Sequence, residues 1–266
     1  PNEPNRHGYV VEIDPLDPES VPVKRTALGR IKHENAAATL APDGRVVVYL
    51  GDDERGEFLY KYVSNAPYVP GGDTSTLLDE GQLYVARFNE DGTGEWLALT
   101  PEATGMDRAV IHIHTRQAAS AVGATTMDRP EWVAVNPLSV QAYCCLTNNS
   151  RRAPGATNAG GDPMAGVENS PNPRDANEYG QIVRWYPANE DHADTAFTWD
   201  LYVMAGNPTV HEGTPYAGSP NVNPGNMFNS PDGMMFDSKG LVWIQTDGDD
   251  SNEGEVAGMG NNQMLV

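Results

Sequence analysis

The chain has 266 residues and a mass of 28.7 kDa, with 37 Asp and Glu against 17 Lys and Arg, for a formal charge of −20. A field of that sign repels phosphate backbones and anionic headgroups, so nucleic acid and membrane surfaces are the first partner classes to be set aside. With 39% hydrophobic and 20% charged residues, the composition is that of a folded chain able to bury a sizeable core, not of an acidic disordered tail.

The 27 Gly and 21 Pro predict many turns and few long helices. Taken along the chain, β-runs are expected over 9–13, 45–50, 58–63, 82–88, 132–135, 140–146, 181–186, 197–204 and 241–245. Turn chemistry separates them: Pro42-Asp43-Gly44, Asp91-Gly92, Asn136-Pro137 and Pro231-Asp232-Gly233. The stretch 106–122 is the exception. Asp107 is placed to cap a helix that stops at Gly123, although Val110-Ile111-His112-Ile113 also suits a strand. Two polar Gly/Pro/Asn-rich loops, 153–177 and 210–226, are long enough to mark function or mobility.

No run reaches the ~18 apolar residues of a membrane span, and no basic-then-apolar signal peptide opens the chain, which begins at Pro1. Cys144 and Cys145 are adjacent in an apolar run and form neither a disulfide framework nor a CxxC pair, so they leave the compartment open.

One hairpin plan occurs three times: an acid, a small-residue or apolar strand, a turn, a β-branched strand and a polar end. It starts at Glu34, Glu131 and Asp232, at intervals of roughly 100 residues. Near-equal spacing of one hairpin type predicts the inner hairpins of three propeller blades. Each interval then holds either one decorated blade or two blades. In such a ring Glu34, Glu131 and Asp232 converge on the axis, and carboxylates so placed need a multivalent, oxygen-loving cation: Ca²⁺, Mg²⁺ or oxidised iron. The plain alternative is three acids that merely begin strands in solvent. Arg129 lies two residues before Glu131, on the same face of an extended segment, with Pro130 stiffening the link. A guanidinium beside a cation-binding carboxylate suits a phosphate or carboxylate ligand; in isolation it is a structural ion pair. Zinc is disfavoured, because Lys32-His33-Glu34 and His112-Ile113-His114 lack the spacing of a ligand set. Asp52-Asp53-Glu54 and Asp247-Gly248-Asp249-Asp250 are possible Ca²⁺ loops that do not fit the EF-hand pattern, and acidic turns are ordinarily solvated.

Six blocks in order carry a family resemblance: 8–14, 27–34, 46–54, Tyr60-Lys61-Tyr62-Val63-Ser64, Met127-Asp128-Arg129-Pro130-Glu131-Trp132 and Asn229-Ser230-Pro231-Asp232-Gly233. Together they resemble the PhoX-type alkaline phosphatases, bacterial secreted phosphomonoesterases. The resemblance implies a β-propeller whose axial site holds Ca²⁺ and Fe³⁺ and hydrolyses small phosphate monoesters, in a periplasmic or extracellular protein. Matched by motif, Glu34 and Glu131 fall where the family has cluster ligands, Arg129 where it has a phosphate-contacting arginine, and Asp232 at a calcium-side ligand. The family's N-terminal cysteine ligand to iron, in a Cys-His-Gly-like stretch, has no counterpart here.

The expected structure is therefore all-β: one propeller domain over 1–266, forming a partial ring with long loops and one or two short helices. Both ends are expected to be cut from a longer polypeptide, with a strand still running at Gln263-Met264-Leu265-Val266. Two other functions share the scaffold, a Ca²⁺-dependent propeller lactonase or phosphodiesterase and a non-catalytic binding platform.

Overall fold

The computed structural model describes residues 3–248 and 251–266. Fourteen strands and three short α-helices are present among them. After the small ribbon of β1 (Val11–Glu12) and β2 (Val23–Lys24), the first blade comprises β3 (Ala37–Leu40), β4 (Arg45–Gly51), β5 (Leu59–Pro67), β6 (Gly81–Phe88) and β7 (Thr93–Ala98). The helices α1 (Pro101–Thr104), α2 (Arg108–Ile113) and α3 (Thr115–Ala121) follow. The second blade is β8 (Pro130–Val135), β9 (Ala142–Leu146), β10 (Gln181–Pro187) and β11 (Ala196–Met204). The third is β12 (Pro231–Phe236), β13 (Val242–Thr246) and β14 (Met264–Leu265). Every pairing is antiparallel, and each interval of the repeat holds one decorated blade. The all-β, propeller-like reading stands.

The first two blades join through their outer strands. Thr93, Gly94 and Glu95 of β7 pair with Thr198, Phe197 and Ala196 of β11, which makes one sheet in the order β3-β4-β5-β6-β7-β11-β10-β9-β8. Gly94 is required there, since a Cβ on it would lie 2.2 Å from the Phe197 ring.

Unbroken apolar runs such as Val46-Val47-Val48-Tyr49-Leu50 arise because the first two blades are covered on both faces. Tyr49 faces the second blade with Trp96, Cys144, Trp185 and Phe197. Leu50 faces the other way, onto Leu28, Ile111, Ala118 and Ala119 beneath α2 and α3. Cys144 and Cys145 divide in the same manner, Cys145 packing with Ile182, Met234 and Ile244 against the third blade. Successive strand residues point to opposite faces, so the layers run helices, blade one, blade two, blade three.

The stretch 106–122 is helical, in two pieces. Asp107 occupies the cap position of α2 but makes no side-chain cap bond, and the chain breaks at His114 before α3. Helix α1, which the strand pattern did not reveal, is capped by Thr100, whose hydroxyl accepts from the Ala103 N–H at 3.2 Å. Among the described residues no helix is long and apolar enough to cross a membrane.

Candidate metal centre

Glu34 and Asp53 are brought together by backbone bonds at the end of β4. The Asp53 N–H donates to Lys32 O (3.0 Å), the Glu34 N–H to Gly51 O (3.4 Å), and the Lys32 N–H to the Asp52 carboxylate (3.0 Å). Asp52 itself is buried and held by both arms of the Arg116 guanidinium from α3, at 2.7 and 2.6 Å. It serves the loop's geometry and leaves Asp53 free to face the neighbouring blade.

Glu131 arrives from β8. Gly51 has to be glycine for this, because a Cβ on it would lie 2.2 Å from Glu131 O and 2.6 Å from Pro130 O. Arg129, immediately before Pro130, has φ +53°, and the register of β8 on β9 shifts between Pro130 and Val133. The third blade repeats the device: Ser230 has φ +49° before Pro231, and the register shifts between Pro231 and Met234, around Asp232. A left-handed residue that precedes proline costs about 1–3 kcal/mol. Here it occurs at the same point of two repeats, beside two candidate ligands.

The result is that ligand atoms of Glu34, Asp53 and Glu131 all lie within 4.8 Å of one another. Glu131 is 1% exposed. Its Oε1 has no hydrogen-bond partner, although Arg129 Nη2 stands 3.3 Å away in a poorly aligned ion pair. Arg129 is anchored on Asp53 through Nε (2.8 Å) and Nη2 (3.2 Å), while its Nη1 reaches only Asn148 Oδ1, at 3.5 Å. Burial, then the charges of Asp53 and Asp232, hold the Glu131 carboxyl well above the usual carboxylate range. Burial with Glu34, Asp247 and Asp53 pushes Asp232 up to about 6, against the opposing pull of Arg129.

These acids cannot all ionise in so small a space without a cation. The orphaned Glu131 oxygen and a donor set made only of carboxylates fit a hard, oxygen-binding cation. A cleft of about 590 Å³ opens against Arg129, with Arg55, Asn148, Glu178, Asp247 and Glu255 on its walls.

Of the residues expected from sequence, Glu34 and Glu131 meet, and Arg129 lies against them. Asp232 stands outside the trio and shares its field. Its place in the trio is taken by Asp53, which the acidic turn Asp52-Asp53-Glu54 had concealed as a solvated residue; the signal was its position at the polar end of the first repeat. Of the other acidic loop, Asp247 reaches the cleft, and Asp249 and Asp250 lie outside the described residues. His33 bonds Gly29 O through Nε2 (2.9 Å), and among the described residues no His or Cys joins the acids. Burial pushes both cysteine thiols up, in keeping with packing groups.

Comparison with known proteins gives one consistent result. The family model described as alkaline phosphatase PhoX matches residues 1–266. A solved structure, Pseudomonas fluorescens PhoX in complex with vanadate, a transition state analogue, is 55% identical with a TM-score of 0.90, over 99% of this chain and 47% of that one. The chain thus spans about half the length of that solved protein. No curated protein matches. The chain belongs to the PhoX alkaline phosphatase family.

Proposed function

We propose that the protein hydrolyses small phosphate monoesters at the centre formed by Glu34, Asp53 and Glu131, with Asp232 as a further ligand on the calcium side. The observation that carries this reading is the buried Glu131 oxygen that lacks a hydrogen bond, beside an arginine fork that opens onto a cleft. An arginine so placed suits a tetrahedral oxyanion and has no evident task with an uncharged lactone.

The cations that the family resemblance implies, Ca²⁺ and Fe³⁺, would when bound offset the carboxylate charges and supply Lewis-acid polarisation of the phosphoryl group. Glu34, Asp53 and Glu131 would hold them. The chain's own contribution is positional. Asp53 fixes two arms of the Arg129 guanidinium and leaves Nη1 the least engaged, to bond an equatorial phosphate oxygen as charge develops there. Arg55 adds a second positive charge at the cleft wall. The remaining acidic surface gives no attraction for a phosphate ester, so recognition is local to this centre. A periplasmic or extracellular location is part of the proposal and rests on the family resemblance alone.

The test is turnover of a generic aryl phosphate by the full-length protein and by its Glu131→Gln variant. A loss of at least about 100-fold in kcat is expected, the scale of removing one preorganised electrostatic group. Unchanged turnover in the variant removes Glu131 from the centre.

A further inference from the structure

The loop between β9 and β10, residues 147–180, has the composition of a mobile segment and the interior of a core. Asn149, Arg152, Asn158, Asn172, Arg174 and Asn177 are all buried within it. Three of these side chains, with Gln181, converge on one residue of the neighbouring segment, Asp128. Arg152 Nε donates to its Oδ1 (2.5 Å), while Asn177 Nδ2 (2.9 Å) and Gln181 Nε2 (3.3 Å) donate to its Oδ2. The Asp128 N–H in turn donates to Asn172 Oδ1 at 2.8 Å. Asp128 is 0% exposed and Arg152 2%.

A buried ion pair with this many satisfied partners is weak evidence for stability, since packed apolar groups serve as well. Its position points to another purpose. The next residue is Arg129, in a left-handed conformation that the following proline makes harder to hold. Such backbone persists only where its surroundings over-determine it. The third blade provides an internal control. Ser230 has the same left-handed backbone before Pro231, yet among the described residues the Asn229 side chain, in the place of Asp128, makes its hydrogen bond from Nδ2 to the Met259 sulfur and has no ion pair like that of Asp128 with Arg152. The full clamp is found where the following side chain is long and must be aimed.

We infer that Asp128 and its clamp of Arg152, Asn172, Asn177 and Gln181 are positioning residues for Arg129. The clamp fixes the backbone that directs the guanidinium to Asp53 and the cleft. The loop thereby ties the second blade's interior to the anion-binding group. This inference rests on Arg129 acting as the phosphate-binding group.

The experiment uses the full-length protein with orthovanadate as probe, its affinity measured by calorimetric titration, beside aryl phosphate turnover and elemental analysis. Wild type tests the underlying reading first: failure both to bind vanadate and to turn over the ester overturns it, and the positioning role with it. Given binding, Asn172→Ala is expected to weaken vanadate affinity by about 10-fold or more and to lower kcat/KM by about 10- to 100-fold, the scale of a misplaced binding group, at unchanged metal content. In an Arg129→Met background the same substitution is expected to change either quantity less than about 2-fold, because its effect passes through Arg129. Equal losses in both backgrounds, or none in either, overturn the inference while leaving the phosphatase reading intact. Should Asn172→Ala fail to fold, Gln181→Met, which removes the longest bond of the clamp together with the Gln181 bonds to Pro171 O, Asn177 and Arg174, is compared across the two backgrounds by the same criterion.

Discussion

Removing the cations and then replacing Glu131 by Gln gives a prediction with a definite sign. In protein stripped by a chelator, the buried Glu131 carboxyl is surrounded by Asp53, Asp232 and Glu34 and keeps its proton above its ordinary value of 4.5. The unfolded chain releases that proton at the ordinary value. The folded state therefore binds more protons, and stability falls as pH rises above about 4.5, by about 1.4 kcal/mol per pH unit. From pH 5.5 to 7.5 the apparent Tm of the stripped protein should therefore fall steadily. Asp232, pushed up to about 6 from 3.8, adds a slope of the same sign that ends near pH 6. Gln at position 131 cannot ionise, so stripped Glu131→Gln should lose most of the decline between pH 6.5 and 7.5. A cation at 100 times its Kd should restore about 2.7 kcal/mol to wild type and markedly less to the variant. Thermal melts with and without chelator across this pH range read all of these quantities. Parallel Tm curves for stripped wild type and variant would refute the argument that Glu131 sits among uncompensated acids.

Two further predictions concern the frame around the centre. Gly51→Ala places a methyl 2.2 Å from Glu131 O and 2.6 Å from Pro130 O, against backbone that has nowhere to retreat. It should cost more than about 3 kcal/mol and abolish cation binding, as read by denaturant melts and elemental analysis; a variant of wild-type stability that keeps its cations contradicts the close approach of β4 and β8. Lys61 is wholly buried between the blades, and burial lowers it to about 7. Its Nζ donates to His192 O (3.1 Å) and Asp194 O (2.5 Å) and lies 4.9 Å from the Trp96 ring centroid, contacts that favour its charged form. Because the unfolded lysine binds its proton up to 10.5, Lys61 should make stability rise with pH between 7 and 10.5 by at most about 1.4 kcal/mol per unit, and Lys61→Met should remove that rise. Identical pH profiles for the two proteins would show that the contacts to carbonyls and Trp96 cancel the burial penalty.

Much of this architecture was legible because strand periodicity and turn residues are local. The three hairpins, the helical stretch ending at Gly123 and two of the three clustered acids follow from patterns a few residues long. What escaped depends on contacts across blades. Asp53 and Asp52 are chemically identical neighbours, and only the Arg116 fork from a distant helix shows which one is structural. Asp232 leads its hairpin as Glu131 does, yet stands outside the trio because convergence in sequence does not fix side-chain reach. The loop 147–180 was equally opaque. A run of Asn, Arg and Gly has the composition of a solvated loop, and its burial follows only from carbonyls and carboxylates supplied elsewhere in the chain.

The convergence of acids from successive blades on bound cations is tested most directly by metal content. Elemental analysis of the purified full-length protein, beside a Glu34→Gln/Glu131→Gln double variant, should find calcium and iron in wild type and a clear loss in the variant. Equal content in the two proteins, or no metal in either, would contradict the account.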